Sequence, residues 1–181
     1  TNGHRPLQWT TSQELEDVQA AIDYLVNRED ADPRGIGLLG VSRGGTAAFC
    51  VGASDSRVLA IAVDSMAPIE EMQLHYTRRF MDIYAHKACG LFPEFSLRIF
   101  GMMCKRYLWK KQNIMLANVN RAARRTHAPV LLIHGNRDSY IPPSVVKPIC
   151  KRIRTRWRLW VVPDAGHNGA VERAGEKYSK R

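Results

Sequence analysis

The sequence predicts an α/β fold, a doubly wound parallel sheet with helices inserted between two of its strands. Short apolar runs with little alternation recur at IGLLGV, VLAIAVDSM, APVLLIHG and RLWVV, as in strands covered on both faces. Segments with apolar residues at helical spacing fall between most of them, and strand–helix–strand order implies right-handed crossovers and parallel pairing. Residues 69–127 interrupt this alternation and hold most of the methionines and many aromatics.

Residues 1–11, with Gly3 and Pro6, read as loop. Ser12 reads as an N-cap, and Glu14, Glu16 and Asp17 place negative charge in the first turns. Leu15, Val18, Ala21, Ile22 and Leu25 then form a helical apolar stripe that Pro33 and Gly35 close. Residues 36–41 are expected to be a strand buried on both faces, followed by a helix over 44–53 and a second strand over 58–66. The 69–127 segment reads as a helical cap or lid insertion. Its Met72, Tyr76, Phe80, Phe95, Met102 and Trp109 suit packing against the main body, lining of an apolar substrate pocket, or both. A third strand follows Pro129. A helix is expected over 142–157, where Val146, Ile149, Ile153 and Trp157 recur at helical spacing. A fourth strand starts at Arg158, and a short helix over 168–181 is expected to fray at KYSKR.

A chain of 181 residues is long enough for one domain with a sizeable core. With 45% hydrophobic and 24% charged residues, it is not disordered for most of its length. Lys plus Arg is 27 and Asp plus Glu is 17, a net charge of 27 − 17 = +10. The basic residues lie in loose clusters and read as solvated helix faces. No nucleic-acid-binding motif accompanies them, so nucleic acid is not an expected partner. Cys50, Cys89, Cys104 and Cys150 show no metal-ligand spacing and read as buried free thiols. No metal or organic cofactor is implied. No apolar run is long enough to cross a bilayer and no segment reads as a signal peptide. Membrane association is not expected, and neither compartment nor oligomeric state is assigned.

The chemistry concentrates where the strands end. In GVSRGG, Ser42 lies between a buried strand and a helix, with Gly40 and Gly44 two residues away on each side. A nucleophile elbow has this form. The serine sits in a strained turn, and side chains at the flanking glycines are expected to collide with the neighbouring strand or helix. The following helix points its N-terminus at the site, where the Arg43 main-chain N–H suits an oxyanion. A serine hydroxyl needs a base, and the base an orienting carboxylate. Asp138 follows the third strand in HGNRD, and His167 follows the fourth in PDAGH. Carboxyl ends of parallel strands share one edge, so Ser42, Asp138 and His167 are expected to converge there. Asp64, ending the second strand, is a rival acid. Asp164 reads as a turn residue, and His134 as a structural histidine at the sheet rim. His4, His75, His86 and His127 read as surface or insert residues.

These motifs resemble the α/β-hydrolase superfamily of serine esterases, lipases and peptidases. DVQAAIDYLVNREDADPRGIGLLGVSRGG is similar to its helix-turn-elbow segment, PVLLIHGNRDSYIPP to its acid-bearing segment and VPDAGHN to its histidine loop. The resemblance implies Ser42 as nucleophile, His167 as base, Asp138 as orienting acid and Arg43 as a main-chain oxyanion donor. It also implies several strands and a glycine-containing oxyanion loop before the elbow strand. No such segment precedes Ser42, so a partial domain lacking its N-terminal strands and second oxyanion donor is expected. The strand over 36–41 would then lie at an exposed sheet edge. The function expected is acyl transfer from an ester, thioester or amide of a small-molecule or acyl substrate, esterase- or lipase-like first and peptidase second. A non-catalytic binding module of the same fold is the alternative from another class.

Overall fold

The computed structural model describes residues 9–84 and 92–180. His4, His86 and Cys89 lie outside them. The element order is α1 (Ser12–Val26), β1 (Ile36–Val41), α2 (Ser42–Gly52), β2 (Val58–Asp64), α3 (Ile69–Tyr84), α4 (Glu94–Gln112), α5 (Val119–Arg125), β3 (Val130–Gly135), α6 (Pro143–Cys150), β4 (Trp157–Val162), α7 (Ala170–Ala174) and α8 (Glu176–Ser179). The strands form one sheet in the order β1-β2-β3-β4, every neighbouring pair parallel. All four therefore present their carboxyl ends at one edge.

Thr11, not Ser12, precedes the first helical residue. Its N–H donates to Glu14 Oε2 at 2.8 Å, which satisfies one of the donors a helix start leaves over. The same stretch is tied down across the fold: Ser12 N donates to Met115 O and Ala117 N to Thr10 O.

Helices cover both faces of the sheet, unequally. Phe49 of α2, Ile61 and Val63 of β2, Leu132 of β3 and Ile149 of α6 are buried in the large core with Ile22 of α1. On the other face, Ile133, Val162, Ala165 and Ala170 form a small core where α7 packs over β3 and β4. No described helix reaches that face at β1. Leu38 packs into the large core, whereas Leu39 is 64% exposed. The expected strand buried on both faces is thus overturned: β1 is a one-sided strand, and it lies at the edge of the described sheet.

Two boundaries also differ. The helix expected over 142–157 ends at Cys150. Turns close Arg152 N onto Ile149 O and Ile153 N onto Cys150 O, and Trp157 pairs with Val130 as the first residue of β4. At the C-terminus, Gly175 (φ 52°) breaks the expected helix into α7 and α8. The expected fraying fails at Tyr178, whose hydroxyl donates to buried Asp64 Oδ2 at 2.9 Å.

The 69–127 segment holds α3, α4 and α5. Met72 of α3 and Val119, Ala122 and Ala123 of α5 belong to the main core. Helices α3 and α4 run antiparallel, joined by Glu70–Lys105, Glu71–Arg98 and Arg78–Glu94 ion pairs. Glu71 also pairs with Arg152 at 3.1 Å, anchoring α3 to the turn after α6. Phe80, Phe95, Met102 and Trp109 are exposed, so much of this segment's apolar content faces outward.

Candidate active site

Ser42 is the first residue of α2, directly after the end of β1, and has a left-handed backbone, φ 52°, which a non-glycine residue adopts only under constraint. The constraint is close packing beneath the turn. A Cβ on Gly40 would lie 2.6 Å from Gly45 Cα, and a Cβ on Gly45 would lie 2.9 Å from Gly40 O. Gly44 has open space around its missing Cβ. The expected collision at both flanking glycines therefore holds for Gly40 and fails for Gly44. Gly45 makes the close approach, because the first turn of α2 rotates it toward β1. Thr46, fully buried, accepts the Ala67 N–H at 3.1 Å and ties α2 to the loop after β2.

Ser42, His167 and Asp138 form one hydrogen-bonded chain. Ser42 Oγ lies 2.9 Å from His167 Nε2, and His167 Nδ1 lies 2.8 Å from Asp138 Oδ2. Asp138 is buried, and its other oxygen accepts the N–H groups of Tyr140 at 3.0 Å and Ile141 at 2.7 Å. That geometry leaves Oδ2 facing the imidazole and fixes Nδ1 as the protonated nitrogen, with Nε2 open to the serine proton. The loop after β3 is itself held against the histidine loop. Asn136 N donates to Val162 O, Arg137 N to Ala165 O and Asp164 N to Asn136 Oδ1. A Cβ on Gly135 would lie 2.3 Å from Ala165 O, so only glycine permits that approach. Asp164, with φ 57°, is the turn residue the sequence suggested.

His134 is buried, with Nε2 bonded to the Ile141 carbonyl, and it lies 3.6 Å from Asp138, beyond hydrogen-bond reach. Among the described residues, Asp64 bonds to Ser65 and Tyr178 and not to His167. Its carboxylate accepts from Ser65 Oγ and Tyr178 OH, both at 2.9 Å. His127 Nδ1 bonds Ala53 O away from the site. Arg43 is anchored on the other side of the turn: its carbonyl accepts from Thr10 Oγ1, and its guanidinium pairs with Glu14 at 3.6 Å. Its N–H lies in the first turn of α2, where N–H groups precede the intrahelical ladder.

Over Ser42 lies a small cavity of about 60 Å³, walled by Trp9, Thr10, Ala67, Ile69, Met72 and Tyr140. The Tyr140 ring stands edge-on to His167 at 5.1 Å, and Tyr76 of α3 donates to the Tyr140 carbonyl at 2.8 Å. Trp9, Ser65, Asn168 and Tyr178 carried no signal in the sequence for a place at or behind this site, whereas Tyr76 was among the insert residues read as packing or pocket lining. Among the described residues, no group of His, Cys, Asp and Glu clusters as for a metal ion. Burial, then the nearby charge of Glu70, pushes the Cys50 thiol up to about 12, which leaves it an inert core group.

The prolyl oligopeptidase family model matches residues 8–181. The chain belongs to the prolyl oligopeptidase family. Solved structures agree on the α/β-hydrolase fold. An esterase of Pyrococcus furiosus is 21% identical, with a TM-score of 0.63, and the match covers 93% of this chain and 58% of that one. A puromycin-hydrolyzing peptidase of Mycobacterium tuberculosis is also 21% identical, with a TM-score of 0.59, over 87% of this chain and 23% of that one. Acetyl xylan esterase 1 of a Thermoanaerobacterium species is 17% identical, with a TM-score of 0.56, over 84% of this chain and 46% of that one. This chain of the prolyl oligopeptidase family thus spans little more than half the length of the Pyrococcus esterase.

Proposed function

We propose that this protein is a serine hydrolase that transfers a short acyl group through a covalent acyl-enzyme, with Ser42 as nucleophile, His167 as general base and acid, and Asp138 as the carboxylate that orients it. The observation that carries this reading is the continuous hydrogen-bonded chain from Ser42 Oγ through His167 to Asp138 at the common edge of the strands. Ser42 Oγ bonds to the acyl carbon while His167 Nε2 takes its proton. The tetrahedral adduct then expels the alcohol or amine, which leaves with that proton. Water repeats the sequence in reverse and frees Ser42. Asp138 stabilises the imidazolium and holds its tautomer throughout. The Arg43 N–H, at the positive end of α2, faces the developing oxyanion.

The cavity over Ser42 favours a short acyl group. Its Trp9, Ile69 and Met72 walls are apolar, and about 60 Å³ leaves no room for a long chain. A peptidase is the second reading, favoured by the family itself. A fluorophosphonate probe tests the nucleophile: wild-type protein should be labelled and Ser42→Ala should not. Equal labelling of both, or none while a control hydrolase reacts, would refute it. Rates on p-nitrophenyl acetate, p-nitrophenyl laurate and a peptide p-nitroanilide then separate short-chain esterase from lipase and peptidase. The acetate is expected to be fastest.

A further inference from the structure

Behind His167 runs a second chain of hydrogen bonds that the proposed chemistry does not use. It starts at the C-terminal helix α8, where Tyr178 OH donates to Asp64 Oδ2 at 2.9 Å. Asp64 Oδ1 accepts from Ser65 Oγ at 2.9 Å. Ser65 Oγ in turn accepts the main-chain N–H of Asn168 at 3.3 Å. Asn168 is the residue after His167, and its φ is 59°. Elements 103 and 114 residues apart in sequence are therefore joined at the backbone of the histidine loop.

This arrangement is costly to build. Asp64 is 2% exposed and forms no ion pair among the described residues, so only hydrogen bonds compensate its desolvation. Ser65 is fully buried and held at φ 53°, in the left-handed region. Its N–H donates to Ile133 O, which fixes the hydroxyl over the end of β3. A solvent-facing loop needs none of this. A loop that must present one imidazole nitrogen to one serine oxygen does, because small misplacements of a base sharply slow proton transfer.

We propose that Tyr178, Asp64 and Ser65 are positioning residues that fix the Asn168 backbone and so aim His167 Nε2 at Ser42. The inference rests on His167 being the base. Asp64 then acts through its hydrogen-bond geometry and not as a substitute acid. Four variants test this, Tyr178→Phe, Ser65→Ala, Asp64→Ala and Asp64→Asn, each read by p-nitrophenyl acetate kinetics and by amide hydrogen exchange over residues 163–170. An Asn at position 64 can still accept from Ser65 and, by donating to the Tyr178 oxygen, keep the chain closed without its charge. The expected result is a kcat about ten-fold lower in Tyr178→Phe and Ser65→Ala at nearly unchanged KM, with faster exchange at Asn168. Asp64→Asn should stay much nearer wild type than Asp64→Ala. Unchanged kcat and exchange in Tyr178→Phe and Ser65→Ala would overturn the proposal. So would an Asp64→Asn variant as slow as Asp64→Ala, which would assign the effect to charge. If wild-type protein turns over no substrate, the serine-hydrolase reading fails, and exchange at Asn168 alone decides whether the chain fixes the loop.

Discussion

A methyl group on Gly40 would lie 2.7 Å from the Gly44 carbonyl oxygen as well as against Gly45 Cα. Both are backbone, so the turn itself must move. Gly40→Ala should therefore cost about 1–3 kcal/mol, as overpacking does, and displace Ser42. Gly44 lies inside α2 with open space around it. Alanine there relieves backbone entropy, and Gly44→Ala should stabilise by about 0.4–1 kcal/mol. Thermal unfolding of the two variants should thus shift in opposite directions, and destabilisation by both would contradict the packing described. Tyr178 offers a pH test. Burial, then its bond to Asp64 and that carboxylate's charge, pushes its hydroxyl up to about 12 from the ordinary phenol value of about 10. Because the folded value is raised, the contribution is complete below pH 10 and is lost as pH rises toward 12. The stability difference between wild type and Tyr178→Phe should be constant near neutrality and shrink across that alkaline window. A difference that stays level to pH 12 would exclude the effect.

The anchoring of α3 decides how firmly the Asp138 loop is held from above, since Tyr76 on this helix bonds the Tyr140 carbonyl. Glu71 is the fulcrum: it is buried and pairs with Arg98 of α4 and Arg152 after α6. Both arginines reach solvent, so Glu71→Ala strands less charge than a fully buried pair would. A loss of about 1–3 kcal/mol in a urea midpoint experiment is expected. The strand ends, and with them Ser42, Asp138 and His167, were legible in the sequence because parallel strands place their carboxyl ends together. The end of α6 was not. Val146, Ile149, Ile153 and Trp157 keep helical spacing by coincidence while a turn and then β4 take over after Cys150. The one-sidedness of β1 was not legible either, since IGLLGV reads the same whether one face or both are covered. The chain through Ser65 and Tyr178 was invisible because it depends on side chains brought together only by folding.

The molecule as a whole sets two forces against each other. Strand β1 is at the sheet edge, and outside it no described strand pairs with its backbone groups, an invitation to strand addition. The adjoining sheet face carries Leu39, Ala60, Ala62 and Leu131 along a single apolar groove, with Leu39 64% exposed. Against this stands a net charge of +10, which repels a second copy. That repulsion acts through solvent and is screened within about 10 Å at 0.1 M salt and about 3 Å at 1 M, whereas apolar contact is not screened. The purified 181-residue chain should therefore sediment as a monomer at low ionic strength and associate as salt and concentration rise. Leu39→Lys adds charge at an already exposed position, so it should cost little stability and hold the chain monomeric at salt concentrations where wild type associates. Sedimentation velocity over a salt series separates the two. If wild type stays monomeric at high salt, or if Leu39→Lys associates equally, the bare edge and face of the sheet are not what brings copies of this chain together.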